Sequence, residues 1–138
     1  MPIKVMQRYT REDLRAHPGW YFVFGDNWKR QGLGGQAAAA RGEPNAVGVC
    51  TKKAPTYNED DFLTDMEYCD NVTQIFNDLE RVFFSLHSGG TVVWPADGIG
   101  TGIADLPNRA PETLKFINNL VDSLKAVYGV TFFEKEQA

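Results

Sequence analysis

Two glycine clusters and one lysine pair carry the chemistry this sequence can offer. The first cluster, Gly25, Gly32, Gly34 and Gly35, lies in FGDNWKRQGLGGQAAAARGEP (24–44), and the second, Gly98, Gly100 and Gly102, in WPADGIGTGIADLP (94–107). Glycine loses more freedom on ordering than any other residue, so a cluster calls for a reason. The usual reason is a ligand that must approach the backbone closely. Each cluster follows a β-prone run. Outward-facing amides that lead into a helix bind phosphate or pyrophosphate, because N–H groups and the helix dipole both favour negative charge. The candidate contacts are Gly32, Leu33, Gly34, Gly35 and Gln36 in the first loop. In the second they are Gly98, Ile99, Gly100, Thr101, Gly102 and Ile103. Either loop alone reads equally as a packing turn, whereas two of them after buried strands point to a nucleotide-like ligand. The first is not a Walker loop, since no G-K-[ST] follows, and it does not fit the dinucleotide fingerprint.

The lysine pair lies in CTKKAP, where Thr51, Lys52 and Lys53 follow a run that should form a central strand. A lysine desolvated in a cleft has a lowered pKa and can act as a nucleophile. At a strand end the same pair also reads as solvated charge. Adjacent strand residues face opposite sides, so only one of the two can enter a cleft. Asp105 is placed to be an acid–base partner, or else a helix cap. Gly25, Asp26 and Asn27 form a strand end whose polar groups suit either a turn or a ribose. His17 and His87 lie in no metal-spaced set, and the residues call for no metal and no cofactor. Trp28 and Trp94 flank the two glycine loops, as pocket walls or as core.

These residues need elements to position them. IKVMQRY (3–9) reads as a first strand, and the capping-box pattern TRED opens a helix from Thr10 to about Ala16. WYFVF (20–24), AVGVCT (46–51) and TVVWP (91–95) lack polar alternation and read as strands buried on both faces. A helix is expected from about Gly34 to Arg41. The three-and-four spacing of Met66, Val72, Ile75, Phe76, Leu79, Val82, Phe83 and Leu86 predicts one long helix, ended by HSGG. Ala110 to Leu124 predicts a last helix, and GVTFFE (129–134) a last strand. Strands alternating with helices imply an α/β domain with a mainly parallel sheet. Ligands of such sheets bind beyond the carboxyl ends of the strands. Three loops of unusual composition could meet there.

The 138 residues fit one domain, 1–138, and 43% hydrophobic with 23% charged residues is an ordinary globular composition. A net charge of −4 argues against a broad duplex-binding surface. A small pocket for one phosphorylated ligand remains compatible with it. No run has the length of a membrane span, no signal-peptide pattern opens the chain, and Cys50 and Cys69 form no C-x-x-C motif. A cytoplasmic protein with reduced thiols and no membrane partner is the expectation.

VFGDN-x4-GLGGQAAAAR, then VGVCTKKAPTY, then WPADGIGTGIADL together resemble the macro domain superfamily of ADP-ribose-binding modules. The resemblance runs from about Tyr21 to Phe133. It is nearest to the terminal ADP-ribose glycohydrolases and the DNA-de-ADP-ribosylating antitoxins. These carry a GAG loop, a TKK segment followed by PTY, and an IGCGLD loop. The chain also resembles a distinct group of small bacterial or phage macro-like proteins. The resemblance implies a three-layer α/β/α fold with a mainly parallel, mixed central sheet. It implies as partners ADP-ribose or ADP-ribosylated protein or nucleic acid. It selects Lys52 as a nucleophile toward the distal ribose. Asp105 matches the assisting aspartate with a one-residue offset, Ala104 standing at the family's acid position. Two functions follow as expectations: hydrolysis of ADP-ribose from a modified macromolecule, or binding of ADP-ribose or a related NAD-derived nucleotide without turnover.

Overall fold

A computed structural model describes residues 2–132. Its five strands are β1 (Ile3–Met6), β2 (Trp20–Asn27), β3 (Ala46–Lys52), β4 (Thr91–Pro95) and β5 (Val130–Phe132). The helices are α1 (Arg11–Ala16), α2 (Ala37–Ala40), α3 (Tyr68–Asp78), α4 (Glu80–His87), α5 (Leu106–Arg109) and α6 (Pro111–Tyr128). The non-alternating apolar runs are strands with helices on both faces. Phe22 and Phe24 of β2 and Val93 of β4 pack with Leu14, Ala37 and Ala40 of α1 and α2. Val23, Val92 and Trp94, one residue out of phase, pack with Ile75, Val82, Leu106 and Ile117 from α3 to α6. Two cores on opposite sides of one sheet make the three-layer α/β/α arrangement. Trp94 belongs to the core, and Trp28 is outside the cavity described below.

The strand order is β3-β2-β4-β1-β5, and every strand pair is parallel. The mixed sheet expected from the resemblance is therefore absent among the described residues. The one antiparallel contact there is an isolated bridge between Lys52 and Phe62. The chain moves from β1 to β2 to β3 in one direction, carrying α1 and α2. It then returns to β4 and on to β5, carrying α3 to α6. Right-handed crossovers place helices on opposite faces for opposite directions of travel, which matches the two cores. Where the direction reverses, neighbouring strands send their loops to opposite faces and a crevice opens at the carboxyl edge.

Local signals account for most element ends. Thr10 and Asp13 form the expected capping box, with Thr10 N donating to Asp13 Oδ2 at 2.7 Å. The first strand stops at Met6 rather than Tyr9. The second runs on through Gly25, Asp26 and Asn27 because these pair with Val49, Cys50 and Lys52. The single long helix is instead α3 and α4, separated at Leu79. Hydrogen bonds from Leu79 N to Ile75 O and from Phe83 N to Leu79 O carry the helical run across that junction. Met66, read as a core position, is almost fully exposed in a short 3₁₀ turn, Asp65–Glu67. The carboxylate of Asp65 in that turn caps α6 from a distance, accepting from the amides of Glu112 and Thr113 at 2.9 and 3.0 Å. The last strand reads to Glu134 in sequence. Phe133 and Glu134 lie outside the described residues.

Candidate functional site

A cavity of about 680 Å³ opens at the carboxyl edge of the sheet, at the reversal point, within the usual size range of a small-molecule site. Four strand-end loops line it. Gln7 and Arg8 follow β1; Gly25 to Gln36 end β2; Thr51 to Tyr57 end β3; Pro95 to Ala104 end β4. Every glycine-loop residue named from sequence lines this cavity: Gly25, Asp26, Asn27, the run 32–36, Thr51 and the run 98–103. The loops are in close mutual contact. A Cβ on Gly34 would stand 3.0 Å from Ile103 Cδ1, one on Gly32 2.9 Å from Pro55 Cβ, and one on Gly25 3.8 Å from Gly100 N.

The backbone amides of residues 32–36 donate to no acceptor among the described residues, and neither do those of 99–104. In the first loop Arg41 holds the carbonyls of Gly32 (2.7 Å) and Gln31 (3.1 Å) with its guanidinium. Tyr9 N donates to Gln36 Oε1 at 3.1 Å and ties the far end of the loop to β1. The expected helix from Gly34 is a single turn, Ala37–Ala40. Free amides rather than a long helix dipole are thus what this loop offers an anion. In the second loop the glycines have different tasks. Gly100 has φ +81°, and a Cβ there would come within 2.9 Å of Leu106 Cγ, so its glycine is demanded by packing. Gly102 has no positive φ and faces open space. Its glycine keeps the cavity wall bare.

Lys52 is where the sequence puts it. A bulge between Asp26 and Asn27 leaves Thr51 as the extra residue of β3, so Thr51 and Lys52 both line the cavity. Lys53 instead pairs with Glu67 at 2.6 Å. Lys52 is 3% exposed, donates from Nζ to Thr56 O, and lies 4.2 Å from the Phe62 ring centroid and 5.1 Å from that of Tyr57. Burial pulls its ammonium below the usual lysine range; Asp61 opposes this and Arg109 adds to it. Cys50, two residues earlier, is buried, and burial, reinforced by Asp78, pushes its thiol far above the usual range. It is no nucleophile near neutrality.

Asp105 is not brought to the cavity. It starts α5 in a left-handed conformation, φ 53°, and accepts from Asn108 Nδ2 (2.8 Å) and Arg109 Nε (3.4 Å). Arg109 then stacks on Phe62, 3.6 Å from the ring centroid, and pairs with Glu59 at 2.6 Å. Asp26 lines the cavity with its carboxylate already engaged, by Arg41 at 2.6 Å, Arg30 at 3.2 Å and Asn27 N at 2.8 Å. Asn27 spends its side chain on Gln31 O and Lys29 N.

Sequence reading missed Arg8, Arg41, Tyr57 and Asp97 as cavity residues, along with Gln7 and Gln31. The β1 loop carries no glycine signal, and Arg41 lies beyond the loop it organises. Among the described residues no group of three or more His, Cys, Asp and Glu is placed to hold a metal ion. No helix there is long and apolar enough to cross a membrane. No curated protein and no solved structure matches the chain. A family model does match, over residues 4–120, which takes in all four cavity loops: the chain belongs to the family of unknown function DUF7831.

Proposed function

We propose that the cavity binds a nucleotide of the ADP-ribose type, the ligand class implied by the resemblance to macro domains. The observation that carries this reading is the pair of glycine loops. They follow adjacent strands, line one cavity, and carry amides that have no acceptor among the described residues. Such amides suit the oxygens of a diphosphate, which accept without needing a proton. The test is calorimetry with ADP-ribose, with adenosine as the comparison lacking phosphate. Saturable one-to-one binding of ADP-ribose supports the reading, and no heat at millimolar ligand ends it.

A second reading, hydrolysis of ADP-ribose from a modified protein or nucleic acid, is favoured by the desolvated amine of Lys52 in the cavity wall. The neutral amine would attack the anomeric carbon of the distal ribose. The bond to the modified group would break toward that group, and water would then release the lysine. Incubation with ADP-ribosylated protein and DNA decides it. Turnover lost in Lys52→Ala and kept in Lys53→Ala supports hydrolysis. Binding without release by the wild-type protein leaves the first reading alone.

A further inference from the structure

Three cations line the cavity, Arg8, Arg41 and Lys52, against two carboxylates, Asp26 and Asp97. Two of the cations are committed. Arg41 is held by Asp26 and by the carbonyls of Gln31 and Gly32. Lys52 is held by Thr56 O under the rings of Phe62 and Tyr57. Arg8 is exposed and, among the described residues, makes no hydrogen bond or ion pair. Its backbone is fixed from both sides. Met6 O accepts from Ala96 N at 2.8 Å, and Tyr9 is buried with its hydroxyl donating to Val23 O. The Tyr9 amide next to it is bonded to Gln36, at the end of the first glycine loop. The free guanidinium therefore starts from a rigid point beside the unfilled amides.

We infer that Arg8 is the charge-reading residue of the cavity: it pairs with a phosphate-type anion held by the first glycine loop. The amides supply geometry without net charge, and Arg8 supplies the charge. A guanidinium suits this because it can give two parallel hydrogen bonds to one phosphate. Asp97 follows Pro95 of β4 as Arg8 follows Met6 of β1, and Met6 and Pro95 are register partners. Its carboxylate, also lining the cavity, limits how much negative charge the mouth accepts.

This inference rests on the nucleotide-binding reading only for the choice of nucleotide, and its test separates the two. Wild-type protein, Arg8→Gln and Arg8→Lys are titrated with ADP-ribose, inorganic pyrophosphate and adenosine at low and at moderate salt. The expected result is about tenfold weaker binding of ADP-ribose and pyrophosphate by Arg8→Gln, the size of one lost charge-assisted hydrogen bond. A shallower salt dependence, unchanged adenosine binding and partial recovery in Arg8→Lys accompany it. The thermal midpoint stays put, since the side chain has no partner among the described residues to lose. Equal anion affinity in wild type and Arg8→Gln overturns the inference, as does equal loss for adenosine, or no anion binding by the wild type at low salt. If pyrophosphate binding depends on Arg8 while ADP-ribose binds no better than pyrophosphate, the nucleotide reading fails and the role of Arg8 stands.

Discussion

Gly100 and Gly102 are two residues apart in one loop and differ in what they do. At Gly100 any side chain meets both a positive φ and Leu106. Gly100→Val is expected to lower stability by about 2–4 kcal/mol, from backbone strain and overpacking together, read by chemical denaturation. Gly102→Val meets open space, so it should melt like the wild type while its isopropyl group projects from the cavity wall. Binding of ADP-ribose should then be lost; a Gly102→Val protein that binds normally would show that the ligand does not approach this wall. The alternate glycines are plain in the sequence, but their division of labour depends on where Leu106 packs, which local composition does not encode. Lys52 allows a pH test. Its folded pKa lies below its unfolded value, so the unfolded state binds more protons in the window between them. Stability from this group therefore rises as pH climbs through the folded pKa toward the ordinary value of about 10.5. Denaturant midpoints followed from neutral pH up to about 10.5 should show the wild type gaining on Lys52→Met as pH rises. A constant difference would mean that Lys52 is solvated in the folded chain.

At the scale of elements, β3 poses a problem that the sequence solves with distant charges. It is the outer strand of the sheet beyond β2, so its far side carries unpaired backbone groups. Arg81 of α4 donates to Ala46 O, Arg30 donates to Gly48 O at 2.9 Å, and Asp78 of α3 accepts from Cys50 N at 2.8 Å. Three charged side chains thus close the edge. Asp78 is the hub, since it also takes Arg30 at 2.6 Å and Gln74 at 2.8 Å. Asp78→Ala should cost about 2–3 kcal/mol, because it strips the buried Cys50 amide of its acceptor and the Arg30 guanidinium of one of its two carboxylates. It should also promote self-association detectable by sedimentation; a variant of wild-type stability that stays monomeric would mean the edge is guarded otherwise. The strands themselves were legible from their unbroken apolar runs, and α1 from its capping box. The division at Leu79 was not, since Ile75, Leu79, Val82 and Leu86 keep helical spacing straight across it and all four are buried. Nor was the Asp65 cap of α6, whose partners stand 47 and 48 residues away.

Across the whole molecule, the reversal in strand order decides where the cavity lies. β2 and β4 are neighbours in the sheet, yet the loop after β2 leads to α2 on one face and the loop after β4 to α5 and α6 on the other. A sequence that alternates strands and helices foretells strand-end loops, and two glycine-rich ones mark themselves. The order of strands, which makes those two adjacent and adds the plain β1 loop, arises from long-range pairing and is not written locally. The same geometry explains why Asp105 misses the cavity. The second loop turns away at Ala104 to start α5, and the carboxylate one residue later meets Arg109 and Asn108. One ligand lying between the two loops must touch both layers at once, which amide hydrogen exchange can read. Without ligand, the amides of 32–36 and 99–104 have no acceptor among the described residues and should exchange fast beside the protected β2 and β4. With ADP-ribose at a hundredfold excess over its Kd, linkage adds about 2.7 kcal/mol to the stability of the whole domain. The diagnostic change is local and double: both stretches should slow together, and with the same ligand-concentration dependence. Protection of one stretch alone would place the ligand on a single loop, and the cavity between them would then need another occupant.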